Sequence, residues 1–384
     1  MSQHKAAAAI VAGSPWSILW TGPGILIASL MIAWGAECSQ FFVAQGLALA
    51  ILAWLQTLPE FAVEAVLGYH QQSQYLLANL TGALRLLTGL GWPMIYFSAA
   101  IAYRAKNRTA MGKIMLPAQQ SIQVVGLAAC LVYVAVIAWK GSLTVIDSGV
   151  LIFIYAGYLW LLRHGHAEDR EEIDELEAIP RAIVLAPRRI RIAAILGLFL
   201  GGGTLIFFLA EPFLASLFAL SAAVGISGFV FIQWVAPFVS EFPEFFSAFY
   251  WARSIYRAPM ALMNLVSSNI NQWTLLSAML PLVLSLGNGS IVPLMFDGEQ
   301  RLEYVMTLGQ ALLGLMFLLN LEFTWWEAAG LFGLWFIQFV FSVGQAGSWV
   351  HTGVTYLYFA WAAVEGVRAR RLVAWHAFRE MRRS

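Results

Sequence analysis

Eleven stretches of this sequence are apolar over lengths suited to crossing a lipid bilayer, and nothing else limits the possible folds as strongly. They lie near residues 16–35, 40–68, 75–103, 117–139, 143–162, 191–210, 214–252, 259–286, 303–320, 325–343 and 349–366. A helix needs about 20 apolar residues to cross the hydrocarbon core, so eleven crossings use roughly 220. The hydrophobic fraction, 60% of 384 residues, supplies that number. Charged residues make up only 11% of the chain, under half of the about 25% found in soluble domains. The expected fold is therefore an all-α polytopic membrane protein, with 303–343 as two helices. Some segments exceed one crossing, which calls for tilt or a break. Cys38 and Cys130 both sit in apolar segments, which excludes a disulfide framework and a four-cysteine zinc site. Net charge is +1 and no basic stripe suits a nucleic acid. The first 13 residues hold one Lys and no apolar run ending in a small-residue cleavage site, so the first span is expected to be retained.

Basic residues concentrate on one side of such a bundle. Eighteen Lys and Arg fall at 104–113, 163–191, 253–257 and 368–383, whereas only Lys5, Lys140 and Arg301 fall in the alternate loops. The positive side is cytoplasmic, so the N-terminus is expected outside and the C-terminus inside, in a plasma (inner) membrane. That arrangement requires an odd number of spans, as eleven is. The interval 163–190 is read as a charged cytoplasmic loop, since seven of the ten residues 168–177 are acidic and like-charge blocks are usually solvated.

Four carboxylates break the apolar pattern. Glu60, Glu64, Glu241 and Glu244 lie within long hydrophobic segments, where ionisable groups are costly and usually functional. Their surroundings repeat: Pro-Glu-Phe occurs at 59–61 and again at 243–245, and Asn-Leu follows at 79–80 and at 264–265. Five spans separate the copies, so the two run in opposite directions. Inverted repeats with interrupted helices at the midplane are the mark of secondary transporters. Pro59 and Pro243 supply the interruptions, because proline cannot donate to the helix ladder. Glu64 lies at i+4 from Glu60 and Glu241 at i−3 from Glu244, so each pair shares a helix face. Carboxylates with nearby carbonyls, amides and hydroxyls form a hard oxygen site, suited to Ca²⁺ or Na⁺.

With these motifs the chain resembles the cation/calcium exchanger superfamily, which includes the sodium/calcium exchangers. Thr57-Leu-Pro-Glu60 resembles the first family break, and Pro243-Glu244 the second, with Ser240 and Glu241 ahead of it. Asn264-Leu-Val-Ser-Ser-Asn269 resembles the family's second Asn motif, while in the first copy Ala83 and Leu84 replace Ser-Asn and Leu87 stands where Gln272 stands in the second. The resemblance implies a ten-helix core of two inverted five-helix repeats, 1–162 and 191–345, followed by an extra transmembrane helix and basic tail at 346–384. It implies cation binding by Glu60, Glu244, Thr57, Glu64, Ser240, Glu241, Asn79, Asn264, Ser268, Asn269 and Gln272, with Glu60 and Glu244 as the metal ligands.

The expected function is antiport of Ca²⁺, or a related cation, against Na⁺ or H⁺ by alternating access. A degenerate, non-transporting or channel-like protein on the same scaffold is the alternative, favoured by Ala83, Leu84 and Arg85. The sequence has no His-Glu-x-x-His, Gly-x-Ser-x-Gly or nucleotide loop, so no enzyme and no cofactor are expected beyond the transported cation. The partners are the bilayer and small inorganic cations. Glu211, followed by Pro212, is expected to cap a helix at the outer surface, and Asp147 on the fifth span is assigned no role. Arg85 is the one basic residue within a span. It is expected to pair with Glu64, or else Glu60, and to compensate the charge of the site.

Overall fold

In the computed structural model, the described residues are 10, 13–39, 41–42, 57–164, 173, 176–254, 256–342, 347–368 and 373–381. The first part of the 40–68 segment and most of the acidic run lie outside them. A helix α1, Ile18–Ser39, opens the bundle. Then come α2, Leu58–Tyr69, the long α3, Ser73–Asn107, α4, Ser121–Lys140, and α5, Val145–His164. A short α6, Ala178–Leu185, leads to α7, Arg188–Val224. The second half continues with α8, Gly228–Ser240, α9, Phe242–Ala252, α10, Ala258–Asn288, α11, Gly298–Leu318, and α12, Trp325–Val340. Helix α13, Gly347–Arg368, and α14, Val373–Met381, complete the chain. Among the described residues, six helices (Pro15–Ser39, α3, Ala118–Lys140, Val145–Arg163, α7 and α10) are long and apolar enough to cross a bilayer.

The fold consists of two repeats, and their local irregularities match. Helices α2 and α9 start at equivalent positions, each with proline in its first turn at Pro59 and Pro243. There the missing N–H costs nothing and the fixed φ suits a helix start. Inside α3 the backbone makes a π turn at Leu87–Gly91, and α10 makes one at Gln272–Leu276. A third π turn, Phe231–Val235, lies in α8. Single-turn π insertions are uncommon and often mark functional positions. The segment 303–343 holds two helices, as expected, with a sharp turn between them.

Two small antiparallel strand pairs tie the repeats together. The strand β1, Lys113–Met115, pairs with β4, Glu322–Thr324, and β2, Ser142–Leu143, pairs with β3, Leu294–Met295. An eleven-crossing path puts both members of each pair on one side. Arg301 donates to the carbonyl of Trp139 at 2.8 Å beside the second pair.

Three expectations are corrected. The break expected between 191–210 and 214–252 is absent: α7 passes straight through Pro212 to Val224. The chain turns instead at Gly225, whose φ of +71° is a conformation that glycine adopts without a Cβ clash. Glu211, expected to cap a helix end, lies mid-helix, its carboxylate 3.6 Å from His70 Nε2. Nor is the loop 163–190 wholly solvated. Leu176 and Val184 are buried with Cys38 of α1, and Trp34 Nε1 donates to Glu177 Oε2 at 3.0 Å.

Helix α13 is an integral part of the bundle. Trp361 stacks on Trp326 at 6.1 Å between ring centroids. After it, α14 folds back so that the Ala374 amide donates to the carbonyl of Leu319 at 2.9 Å.

Candidate cation site

Glu60 and Glu244 occupy the first turns of α2 and α9. A helix N-terminus presents unpaired N–H groups and a partial positive charge that favour a carboxylate, offsetting part of the cost of burial. All four intramembrane carboxylates are at most 2% exposed. They form one cluster. Gln272, the first residue of the α10 π turn, donates from Nε2 to Glu60 Oε2 at 2.9 Å and to Glu241 Oε1 at 2.6 Å. That shared amide brings the carboxyls of Glu60 and Glu241 together, and Glu244 lies close to both. Glu60 and Glu244 therefore meet in one group with Glu241. Ser268 donates to Glu244 Oε1, and Asn79 Nδ2 donates to Glu64 Oε1 at 3.3 Å.

Amide and hydroxyl donors do not saturate the cluster. Glu60 Oε1, Glu64 Oε2, Glu241 Oε2, Asn79 Oδ1, Asn271 Oδ1 and Gln272 Oε1 are buried and receive no such donor. Buried polar atoms are nearly always paired, so each exception calls for an explanation. Six oxygens in want of a positive partner have the chemistry of a hard-cation or proton site. Among the described residues, however, no three His, Cys, Asp or Glu side chains form a ready-made metal cage.

The remaining candidates divide. Thr57 joins the cluster's edge, its Oγ1 accepting from Asn271 Nδ2 at 2.6 Å. Asn269 accepts from Thr88 Oγ1 at 3.3 Å, a bond between the repeats. The Ser240 hydroxyl instead turns into its own helix, donating to the carbonyls of Ala236 and Pro237. Asn264, half-buried, leaves its Nδ2 without a partner and makes no bond to the four carboxylates. Asn271 was missed by sequence reasoning, although it lies between the motif residues Asn269 and Gln272.

The expectation for Arg85 is overturned. Its guanidinium meets neither Glu64 nor Glu60; it pairs with Glu303 of α11, Nη2 to Oε2, at 2.6 Å. It also donates to the Thr81 carbonyl and to Gln338 Oε1, both at 3.1 Å, and lies 5.0 Å from the Trp234 ring centroid. A guanidinium with no exposed surface requires an opposite charge and polar partners of this kind. Glu303 was missed because it stands at the polar edge of its segment, with Glu299 and Arg301 just before it. Asp147, left without a role, finds Lys140 at 2.5 Å.

Residues 14–163 and 194–344 match the family model described as sodium/calcium exchanger protein. The chain belongs to that family. Both halves of this exchanger-family chain are matched, each containing one Pro-Glu break. Its fold is similar to the crystal structure of the H⁺/Ca²⁺ exchanger CAX, with 28% identity, a TM-score of 0.87, and coverage of 97% of this chain and 92% of that one. A structure of the sodium-calcium exchanger NCX_Mj shares the fold at 20% identity and a TM-score of 0.56, over 85% of this chain and 97% of that one. Native YfkE shares it at 13% identity and a TM-score of 0.58, over 90% and 92%. No curated protein matches the exchanger-family chain in sequence.

Proposed function

We propose that the chain is a secondary active antiporter that exchanges Ca²⁺ for H⁺. The carrying observation is the group of donor-less oxygens at Glu60, Glu64 and Glu241, with Glu244 held in the same cluster. Buried carboxylates this close repel one another unless a proton or a cation lies among them. The approach of Glu241 to Glu60 and Glu244 is therefore suited to protons. A divalent cation satisfies the same oxygens once those protons leave, so the two ligands compete for one set of atoms. Competition of that kind gives obligatory exchange when the cluster opens to one side at a time.

Glu60, Glu244, Glu64 and Glu241 are the ligands in this reading. Gln272, Asn79, Thr57 and Ser268 orient them, and Asn269 holds the repeats together through Thr88. The similarity to CAX along nearly the whole chain supports H⁺ over Na⁺ as counter-ion, because the second repeat places a carboxylate at 241 where the first has Thr57. The polypeptide would lie in the plasma (inner) membrane with its N-terminus outside and its C-terminus cytoplasmic, as the charge asymmetry requires. A non-transporting scaffold is the poorer reading, since it gives the unpaired oxygens no purpose. The test is Ca²⁺ uptake by purified protein in liposomes under an imposed pH gradient, then under a Na⁺ gradient. Uptake driven by the pH gradient supports the proposal; Na⁺-driven uptake alone overturns the choice of H⁺, and no uptake under either overturns antiport.

A further inference from the structure

A second buried polar group lies away from the carboxylate cluster. Its centre is Glu303 of α11, whose Oε2 forms an ion pair with Arg85 at 2.6 Å and accepts from Gln233 Nε2 of α8 at 2.8 Å. Its Oε1 lies 2.5 Å from Nδ1 of His351, on α13. The other ring nitrogen, Nε2, is 3.1 Å from the carbonyl of Gln338, in the last turn of α12. Beyond these, Gln338 Nε2 donates to Gln310 Oε1 at 2.9 Å, and Tyr358 donates to the same oxygen at 3.1 Å.

The two nitrogens of His351 thus both face acceptors. A neutral imidazole has one N–H, so it satisfies only one of them; the doubly protonated ring satisfies both. A proton on Glu303 could serve Nδ1 instead, but that carboxyl already pairs with the Arg85 guanidinium and accepts from Gln233, and the carboxylate form faces both Arg85 and His351 at once. The Gln338 carbonyl lies at a helix C-terminus, the end of the dipole that favours a cation. The charged and titratable groups facing His351 are few: Glu303 from α11, with Arg85 of α3 behind it. From α12 the contact is a backbone carbonyl, α8 contributes the neutral Gln233, and Tyr358 lies on the same helix as the histidine.

We propose that His351 and Glu303 form a proton-binding site, separate from the four intramembrane carboxylates, and that the bound proton fastens α13 to α11 and α12. When Nδ1 is deprotonated, its lone pair faces a carboxylate oxygen, and that contact must lengthen. When Nε2 loses the proton instead, the bond to α12 is lost. Either way the start of α13 loosens. The site is independent of which ions the protein transports.

The test needs no transport activity. Full-length protein with ¹⁵N-labelled histidine is reconstituted in lipid nanodiscs and followed by NMR from about pH 5 to about pH 8, where histidine changes charge. In parallel, amide hydrogen exchange of residues 347–360 is measured, corrected for intrinsic rate. We expect one histidine, missing from His351→Gln, to carry protons on both ring nitrogens wherever the start of α13 is protected. Protection should fall with loss of the second proton, and any pH dependence of that protection should vanish in His351→Gln. If that variant does not fold, replacement of His4, His70, His164, His166 and His376 by Gln leaves His351 as the only signal. A His351 ring that stays singly protonated throughout overturns the proposal. So does protection that persists in the unmodified protein where the ring has lost its second proton, or that is equally pH-dependent in His351→Gln.

Discussion

Alanine at Gly82 tests whether the position of α8, and with it Ser240 and Glu241, is set by its contact with α3. A Cβ built on Gly82 lies 1.8 Å from the Gln233 carbonyl oxygen and 2.7 Å from its carbon, and Cβ atoms essentially never approach closer than 3.0 Å. The obstacle is backbone, so no rotamer change relieves it; α3 and α8 must separate by 1.2 Å or more. Overpacking a close-packed interior costs about 1–3 kcal/mol. The shift would also strain the Gln233–Glu303 bond and the aromatic contact between Arg85 and Trp234. Because α8 ends where Glu241 begins, Gly82→Ala should displace that carboxyl from Gln272. Misplacement by about 1 Å at a reacting centre can cost on the order of 100-fold, and a comparable loss of flux is expected here. Thermal unfolding in detergent and Ca²⁺ uptake in liposomes are the assays. Gly157→Ala and Gly333→Ala are the controls, since nothing lies within 4 Å of a Cβ at either position. Equal melting and equal flux in all three variants would show that the α3–α8 contact does not position the site.

Glu60→Gln and Glu244→Gln should each abolish exchange while leaving the protein monodisperse by size exclusion; wild-type flux in either would remove that residue from the ligand set. Arg85→Met should cost about 3–5 kcal/mol of stability by leaving Glu303 buried opposite no guanidinium, and Arg85→Met with Glu303→Gln should recover most of it. A double variant no more stable than Arg85→Met would disprove the pairing argument. Trp34→Phe removes the bond to Glu177 and should speed tryptic cleavage at Arg181, with little change in global melting. Unchanged cleavage would mean that α6 is held by its apolar contacts alone.

The features that the sequence revealed were those carried by short, repeated patterns. Pro-Glu-Phe at 59–61 and 243–245 marked both helix starts, because proline is well suited to the first turn of a helix. The pairing of Leu87 with Gln272 likewise survives as two matching π turns. What stayed hidden depended on contacts across the bundle. Arg85 and Glu303 are 218 positions apart, and a side chain about 7 Å long has several helices within reach, so Glu64 was the wrong partner on sequence proximity alone. His351 gave no signal, because one histidine has no spacing to read. Pro212 suggested a break where α7 continues, while Gly225, the true turn, carried the weaker mark. The Ser240 hydroxyl was misjudged for a local reason: serine in a helix readily bonds the carbonyl one turn back.

The strand pairs in the loops have a mechanical consequence. One pair joins the first repeat to the second on one face of the membrane, β1 to β4, and the other does so on the opposite face, β2 to β3. Helices α4 and α11 are therefore tied at both ends, and α3, α5, α10 and α12 at one end each, so that the six behave as a stator. Helices α1 and α7 pack on each other, with Gly35 against Leu198 and Phe199 and Gly202 against Ala28 and Ile32, and neither is joined to a strand pair. Among the described residues the strand ties thus leave α1 and α7 outside the clamped set, held by packing rather than by paired strands.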